Sequence, residues 1–177
     1  MTYLYLDTKF DGFKGKLISM ALVSCKNNEN GVSITDSQCT DSQWYEVLED
    51  GMRVQDQWVI SNILPFLGKI PISFPKFKES LLSFLKFHVI NTKNLTIVAA
   101  WPEDIIHLLS FLYEQDGRQI HLNIDFKLIM SGKLDSKVPH NALMDAIALM
   151  EWHQEKLRLD RRDEILSTTT IPAKTQL

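Results

Sequence analysis

Residues 139–148 have the sequence PHNALMDAIA, and they open the most strongly helical segment of the chain. Apolar residues recur at helical spacing beyond them, so we predict a helix from 141 to 157. His140 lies directly before that helix, and Asp145 falls within its first turns. A basic and an acidic side chain are therefore expected together at the start of this helix.

The rest of the chain alternates between short apolar runs and stretches of helical periodicity. The patterns predict strands at 3–6, 16–24, 32–35, 44–48, 94–100 and 126–130, and further helices at 54–67, 77–89 and 103–113. Two glycines within 11–15 predict a turn that joins the first two strands as a hairpin, and Pro71 and Pro75 predict a loop. Strands followed by helices that alternate with strands indicate an α/β fold, with a mixed sheet flanked by helices.

Composition limits the class of protein. The chain has 177 residues, of which 45% are apolar, which is enough for one domain with a sizeable core. A net charge of −3 argues against a general nucleic-acid coat protein, but it suits an acidic site that binds metal ions. No apolar run reaches the roughly 18 residues of a membrane span, and the start of the chain lacks the pattern of a signal peptide. The two cysteines are expected to be free thiols, so we predict a cytoplasmic protein without a membrane partner.

Several polar residues stand at the ends of predicted elements, where they would converge. Asp7 ends the first strand, Asp104 begins a helix after the strand at 94–100, and His140 and Asp145 open the last helix. Hydrolysis of a phosphodiester with two metal ions needs converging carboxylates and a base such as histidine. Each residue also has a plain structural interpretation: a turn cap for Asp7, a helix-dipole charge for Asp104, an exposed loop position for His140 and a surface charge for Asp145.

Three segments carry a resemblance to a known family. Residues 7–13 (DTKFDGF) resemble the first motif of the DEDDh 3′–5′ exonucleases, a branch of the RNase H-like superfamily. His140 with Asp145 is similar to the third motif of that family, and residues 101–104 (WPED) are similar to the middle motif. The resemblance spans roughly residues 3–155 and is strongest to a small bacterial and phage subgroup of exoribonuclease-like proteins.

The resemblance implies a fold and a function. It implies an RNase H-like mixed sheet in a single exonuclease-like domain over 1–166, with a flexible C-terminal tail at 167–177. The implied activity is metal-dependent 3′–5′ exonuclease action on RNA or short single-stranded nucleic acid, with release of nucleoside 5′-monophosphates. Asp7, Asp104 and Asp145 would bind two Mg²⁺ or Mn²⁺ ions, and His140 would be the general base. Trp101 stands beside this site and would suit base stacking, and a homodimer with the Trp44 region as its contact is a further expectation.

Lys9 departs from the family pattern, which has a glutamate at this position. One interpretation is a catalytically impaired module that binds nucleic acid or a protein partner, because an ammonium would stand where a carboxylate holds metal. A second is that Asp11 substitutes as the ligand while Lys9 turns to the phosphate. A third is an engineered change that traps an inactive enzyme. A structural or regulatory phage-type protein that uses the fold as a scaffold is the remaining alternative.

Overall fold

The structure is a computed structural model that describes residues 2–12, 14–26, 42–114, 116–129 and 134–169. The strand predicted at 32–35 lies outside the described residues, as do Cys39, the side chain of Cys25 and the last part of the predicted tail, 170–177. Every described helix is too short or too polar to cross a membrane.

A five-stranded mixed sheet forms the centre of the protein. Its strands are β1 (Thr2–Phe10), β2 (Leu17–Lys26), β3 (Ser42–Val47), β4 (Leu95–Ala99) and β5 (Ile124–Leu128). They lie in the order β3-β2-β1-β4-β5. β1 and β2 form an antiparallel hairpin, and β3 pairs antiparallel with β2. β4 is parallel to β1, and β5 is parallel to β4. The predicted α/β class is confirmed, and this order is consistent with an RNase H-like arrangement.

Four helices flank the sheet: α1 (Gln57–Asn62), α2 (Phe74–Asn91), α3 (Pro102–Phe111) and α4 (Ala142–Thr169). The helices α2 and α3 bury one face of the sheet, with Phe77 and Leu108 at the centre of that core. The helix α4 packs on the opposite face against Tyr5 and Val98. Apolar side chains on both faces of β1 and β4 explain why these strands lie in the middle of the sheet.

The helix predicted over 54–67 is interrupted, so that prediction was too long. The Asp56 side chain accepts hydrogen bonds from the amides of Trp58 and Val59 and so begins α1. A short 3-10 turn at Leu64–Phe66 then includes Pro65, which has no amide hydrogen to continue an α-helix. Pro75, predicted to lie in a loop, is instead in the first turn of α2, where a missing amide hydrogen costs nothing.

Trp44, at the centre of the region predicted as a dimer contact, is 8% exposed, so its own side chain offers little surface to a partner. Its ring packs edge-on against Phe77, with ring centres 5.2 Å apart. Its indole nitrogen donates a hydrogen bond of 2.6 Å to Ser80 on α2. Trp44 therefore joins β3 to α2 in the core.

Candidate functional site

The predicted site residues come together at the edge where the parallel strands β1 and β4 end. Asp7 lies in β1 just past the last residue that pairs with β4. Asp104 lies in the first turn of α3, which follows β4, and Asp145 lies in the first turn of α4. The carboxyl ends of neighbouring parallel strands meet at one edge of a sheet, so three segments that are distant in sequence contribute one cluster.

Lys9 lies inside this cluster. Its Nζ atom is 2.7 Å from Oδ2 of Asp7 and 2.7 Å from Oδ2 of Asp145. β1 continues through Lys9 to Phe10, further than the predicted end at residue 6, so Asp7 and Lys9 point to the same face of the sheet. All three side chains are largely buried, which makes this a bridged ion pair between a strand and a helix.

Asp104 is held by Thr8, whose place in the site was not predicted. One carboxylate oxygen, Oδ1, accepts hydrogen bonds from the backbone amide of Thr8 at 3.0 Å and from its hydroxyl at 2.6 Å. The other oxygen, Oδ2, is buried and has no hydrogen-bond partner among the described residues. The alternation of side chains along β1 was the available signal, because it turns Thr8 away from Asp7 and Lys9 towards α3.

His140 lies at the rim of the cluster. Its backbone amide donates to Oδ2 of Asp145 over 3.2 Å, and its φ angle of 68° is in the left-handed region, which costs about 1–2 kcal/mol outside glycine. Its ring lies edge-on to Trp58, with ring centres 5.0 Å apart. Asn141 then begins α4, since its side-chain oxygen accepts from the amide of Met144. The left-handed turn thus brings the backbone amide of His140 to Asp145. The His140 ring instead contacts Trp58, which no sequence pattern indicated.

Asp11 is bound elsewhere. Its two carboxylate oxygens accept hydrogen bonds of 3.0 Å from the backbone amides of Gln55 and Asp56. Asp11 follows the irregularity in strand pairing between Lys9 and Phe10, so it does not continue the row formed by Asp7 and Lys9. The structure therefore gives Asp11 a role in fixing the start of α1, and it lends no support to Asp11 as a substitute metal ligand.

This role predicts the effect of changing Asp11. We expect Asp11→Ala to lower the free energy of unfolding by about 1–2 kcal/mol, because two backbone amides lose their acceptor. Hydrogen exchange should accelerate at the amides of Gln55 and Asp56, and Asp11→Asn should have a smaller effect because it keeps one acceptor oxygen. Asp50→Ala, at an exposed position, is the control. Unchanged exchange at both amides would contradict the assigned role.

Trp101 is accessible beside the cluster. It directly precedes α3, and 65% of its surface is exposed. Its backbone oxygen accepts from the amide of Asp104 at 3.2 Å, which ties this exposed ring to the helix turn that carries the carboxylate. An exposed indole suits base stacking, and this role of Trp101 stays a prediction.

The ammonium of Lys9 lies among the carboxyl groups of Asp7, Asp104 and Asp145. Burial raises the pKa of Asp7 to about 8, with the Lys9 ammonium opposing the rise and the Asp104 and Asp145 carboxylates adding to it. Burial also raises the pKa of Asp104 to about 6, against the hydrogen bond from the Thr8 hydroxyl. Burial alone would lower the pKa of Lys9, but Asp7 and Asp145 outweigh it and raise that pKa. Lys9 therefore stays charged, and the carboxylates are not all ionised near neutral pH.

The cluster as folded does not fit a pair of divalent metal ions. The unpartnered Oδ2 of Asp104 would suit a hard cation. However, the Lys9 ammonium takes the place between Asp7 and Asp145 where an ion bridging them would bind. Within the described ranges, no group of three or more His, Cys, Asp or Glu side chains is arranged to hold a metal ion. A metal could bridge these carboxylates only if the Lys9 side chain left them.

Comparisons of this chain with protein-family models and with curated proteins find no match. The resemblance to the exonuclease family therefore rests on the three sequence segments and on their convergence at one edge of the sheet.

Proposed function

We propose that this chain is a DEDDh-type exonuclease relative that binds RNA or short single-stranded nucleic acid, and that Lys9 suppresses its metal-dependent cutting. The observation that carries the proposal is the position of Lys9 Nζ, 2.7 Å from both Asp7 and Asp145. The preference for RNA and for the 3′ end comes from the family resemblance. The binding of nucleic acid is the part of the family function that remains when a bridging metal is excluded.

The suppression has a simple electrostatic cause. Breaking a buried ion pair by removing one partner costs about 3–5 kcal/mol, because a charge is left buried without compensation. Lys9 contacts two carboxyl groups, so a divalent ion must displace this ammonium from both before it can bridge them. A glutamate at this position would instead add a negative charge and an oxygen ligand.

A second candidate is an active metal-dependent 3′–5′ exonuclease. The observation that favours it is the excess of carboxylates: Asp7, Asp104 and Asp145 together can carry more negative charge than one ammonium neutralises. His140, the general base of the family pattern, also lies at the rim of the cluster, where its backbone amide contacts Asp145. This candidate requires Lys9 to leave the cluster when substrate and metal bind.

A degradation assay separates the two candidates. The wild-type chain, Lys9→Glu and Lys9→Gln are incubated with 5′-labelled single-stranded RNA and DNA in Mg²⁺, Mn²⁺ or chelator, and binding is measured on the same strands. We expect the wild type to bind without producing a ladder, and Lys9→Glu to produce one only with metal. Lys9→Gln is the matched control, because it removes the ammonium without adding a carboxylate, and it should remain far less active.

The other outcomes are equally informative. A metal-dependent ladder from the wild type that disappears in Asp145→Ala would establish the second candidate. If neither the wild type nor Lys9→Glu binds or degrades any of the strands, both candidates are wrong.

A further inference from the structure

We propose that the outer edge of β5 pairs antiparallel with the same edge of a second copy of this chain, about a twofold axis at Phe126. β5 is the last strand of the sheet, and no described strand pairs with it on its outer side. Residues 125–128 are all exposed. An open edge of this kind offers unpaired backbone groups to another strand.

The side chains of β5 are self-complementary about Phe126. Asp125 and Lys127 lie on one face of the sheet, and Ile124, Phe126 and Leu128 lie on the other. In an antiparallel pair centred on Phe126, each Asp125 faces Lys127 of the second copy. The apolar residues meet in the same way, with Phe126 opposite its own counterpart and Ile124 opposite Leu128. Opposite charges and apolar residues in directly facing positions both stabilise strand pairs.

The backbone of β5 agrees with this register. Ile129 donates its amide to Ala99 of β4, so alternation turns the backbone groups of Asp125 and Lys127 towards β4 as well. Those of Phe126 and Leu128 then point outwards. A twofold axis at Phe126 makes the two Phe126 residues a hydrogen-bonded pair. The outward N–H and C=O groups of one copy are then hydrogen-bonded to those of the other.

The exposed apolar surface supports a second copy as the occupant. Phe126 and Leu128 are 39% and 44% exposed. They lie on the face of the sheet that α2 and α3 cover nearer its centre. Lysine on an edge strand ordinarily discourages pairing. Here Asp125 stands two residues before Lys127, so Asp125 of the second copy neutralises the charge of Lys127. The result is a symmetric dimer with one continuous sheet of ten strands.

Charge exchange tests the register. Sedimentation velocity over a range of concentrations should show reversible doubling of mass for the wild type. Asp125→Lys places lysine opposite lysine, and Lys127→Asp places aspartate opposite aspartate, so each variant alone should dimerise at least about tenfold more weakly. An equimolar mixture of the two variants restores the opposite charges and should recover the dimer. Glu155→Lys, on the exposed surface of α4, is the control and should dimerise like the wild type. Lys127 also contacts His153 of α4 over 3.3 Å, so thermal unfolding must show that the Lys127→Asp variant of the charge exchange folds.

A cysteine at the twofold axis gives an independent measurement. Phe126→Cys, in a chain with Cys25 and Cys39 changed to serine, should form an intermolecular disulfide. Its Cα atoms would lie about 5.5 Å apart, within the range of natural disulfides. Leu159→Cys in the same background is the exposed control. A wild type that stays monomeric at all concentrations, or single variants that dimerise like it, would overturn the proposal.

Discussion

Lys9→Glu is expected to lower the free energy of unfolding by at least about 3 kcal/mol in the presence of a chelator. The substitution removes the cation that lies 2.7 Å from both Asp7 and Asp145, so the negative charge of the cluster is left buried without compensation. It also adds a fourth carboxylate to the cluster. This single position therefore has an effect on stability comparable to the removal of a large core side chain.

Divalent metal should reverse this loss. With glutamate at position 9, Mn²⁺ or Mg²⁺ would bind the folded state and stabilise it in proportion to the logarithm of its concentration. The wild type, with its own ammonium in place, should show little response to the same ions. Urea unfolding with metal and with chelator measures both effects, and isothermal titration gives the number of ions bound.

The control for Lys9→Glu is Lys16→Glu, the same charge reversal at an exposed position close in sequence. It should change the free energy of unfolding by less than about 0.5 kcal/mol. The electrostatic account of the cluster is wrong if Lys9→Glu is as stable as the wild type in chelator. It is also wrong if Mn²⁺ stabilises the wild type as much as the variant.

The second large effect concerns pH. The pKa of Asp7 is raised from 3.8 to about 8 in the folded state, so between these values the folded chain holds a proton that the unfolded chain has released. Stability from this group is fully present below about pH 4 and is lost as the pH rises towards 8. Asp104, with its pKa raised to about 6, acts in the same direction over a narrower range.

We therefore expect the wild type to lose a few kcal/mol of stability between pH 5 and pH 9 relative to Asp7→Asn. The amide of the variant cannot ionise, so its stability should vary less over this range. Urea unfolding at several pH values measures the difference. Asp160→Asn, on the exposed surface of α4, should follow the wild type at every pH. If the curves of the wild type and Asp7→Asn stay parallel, burial does not raise the pKa of Asp7.

The local structure of the sheet followed from the sequence in most places. Apolar runs located β2, β3 and β4 to within about two residues, and two glycines located the hairpin turn. β1 was predicted to end at residue 6 because its next residues are polar. It continues to Phe10, since β2 pairs with its backbone and the Lys9 side chain contacts both Asp7 on β1 and Asp145 on α4. A pattern of hydrophobicity does not detect a strand whose buried polar side chains neutralise one another.

The helix α4 shows the same limit at its other end. Periodicity predicted its end at residue 157, and a tail without regular structure was predicted from 167. The helix instead extends to Thr169. Residues 158–163 are exposed, and Arg158 pairs with Glu155 at 2.6 Å. Pairs of charges three residues apart support a helix without any apolar face.

The sequence by itself determined the mixed α/β class and the residues worth examining: Asp7, Asp104, His140 and Asp145. Their types and their positions at the ends of elements are local properties, and local properties are what a sequence displays. Only the tertiary structure decided what Lys9 and Asp11 do. The parallel pairing of β1 with β4 and the packing of α4 bring Asp145 to within 2.7 Å of the Lys9 ammonium, while Asp11 turns to the amides of Gln55 and Asp56. Those contacts depend on distances between segments up to 136 residues apart in the sequence, and no spacing along the chain encodes such distances.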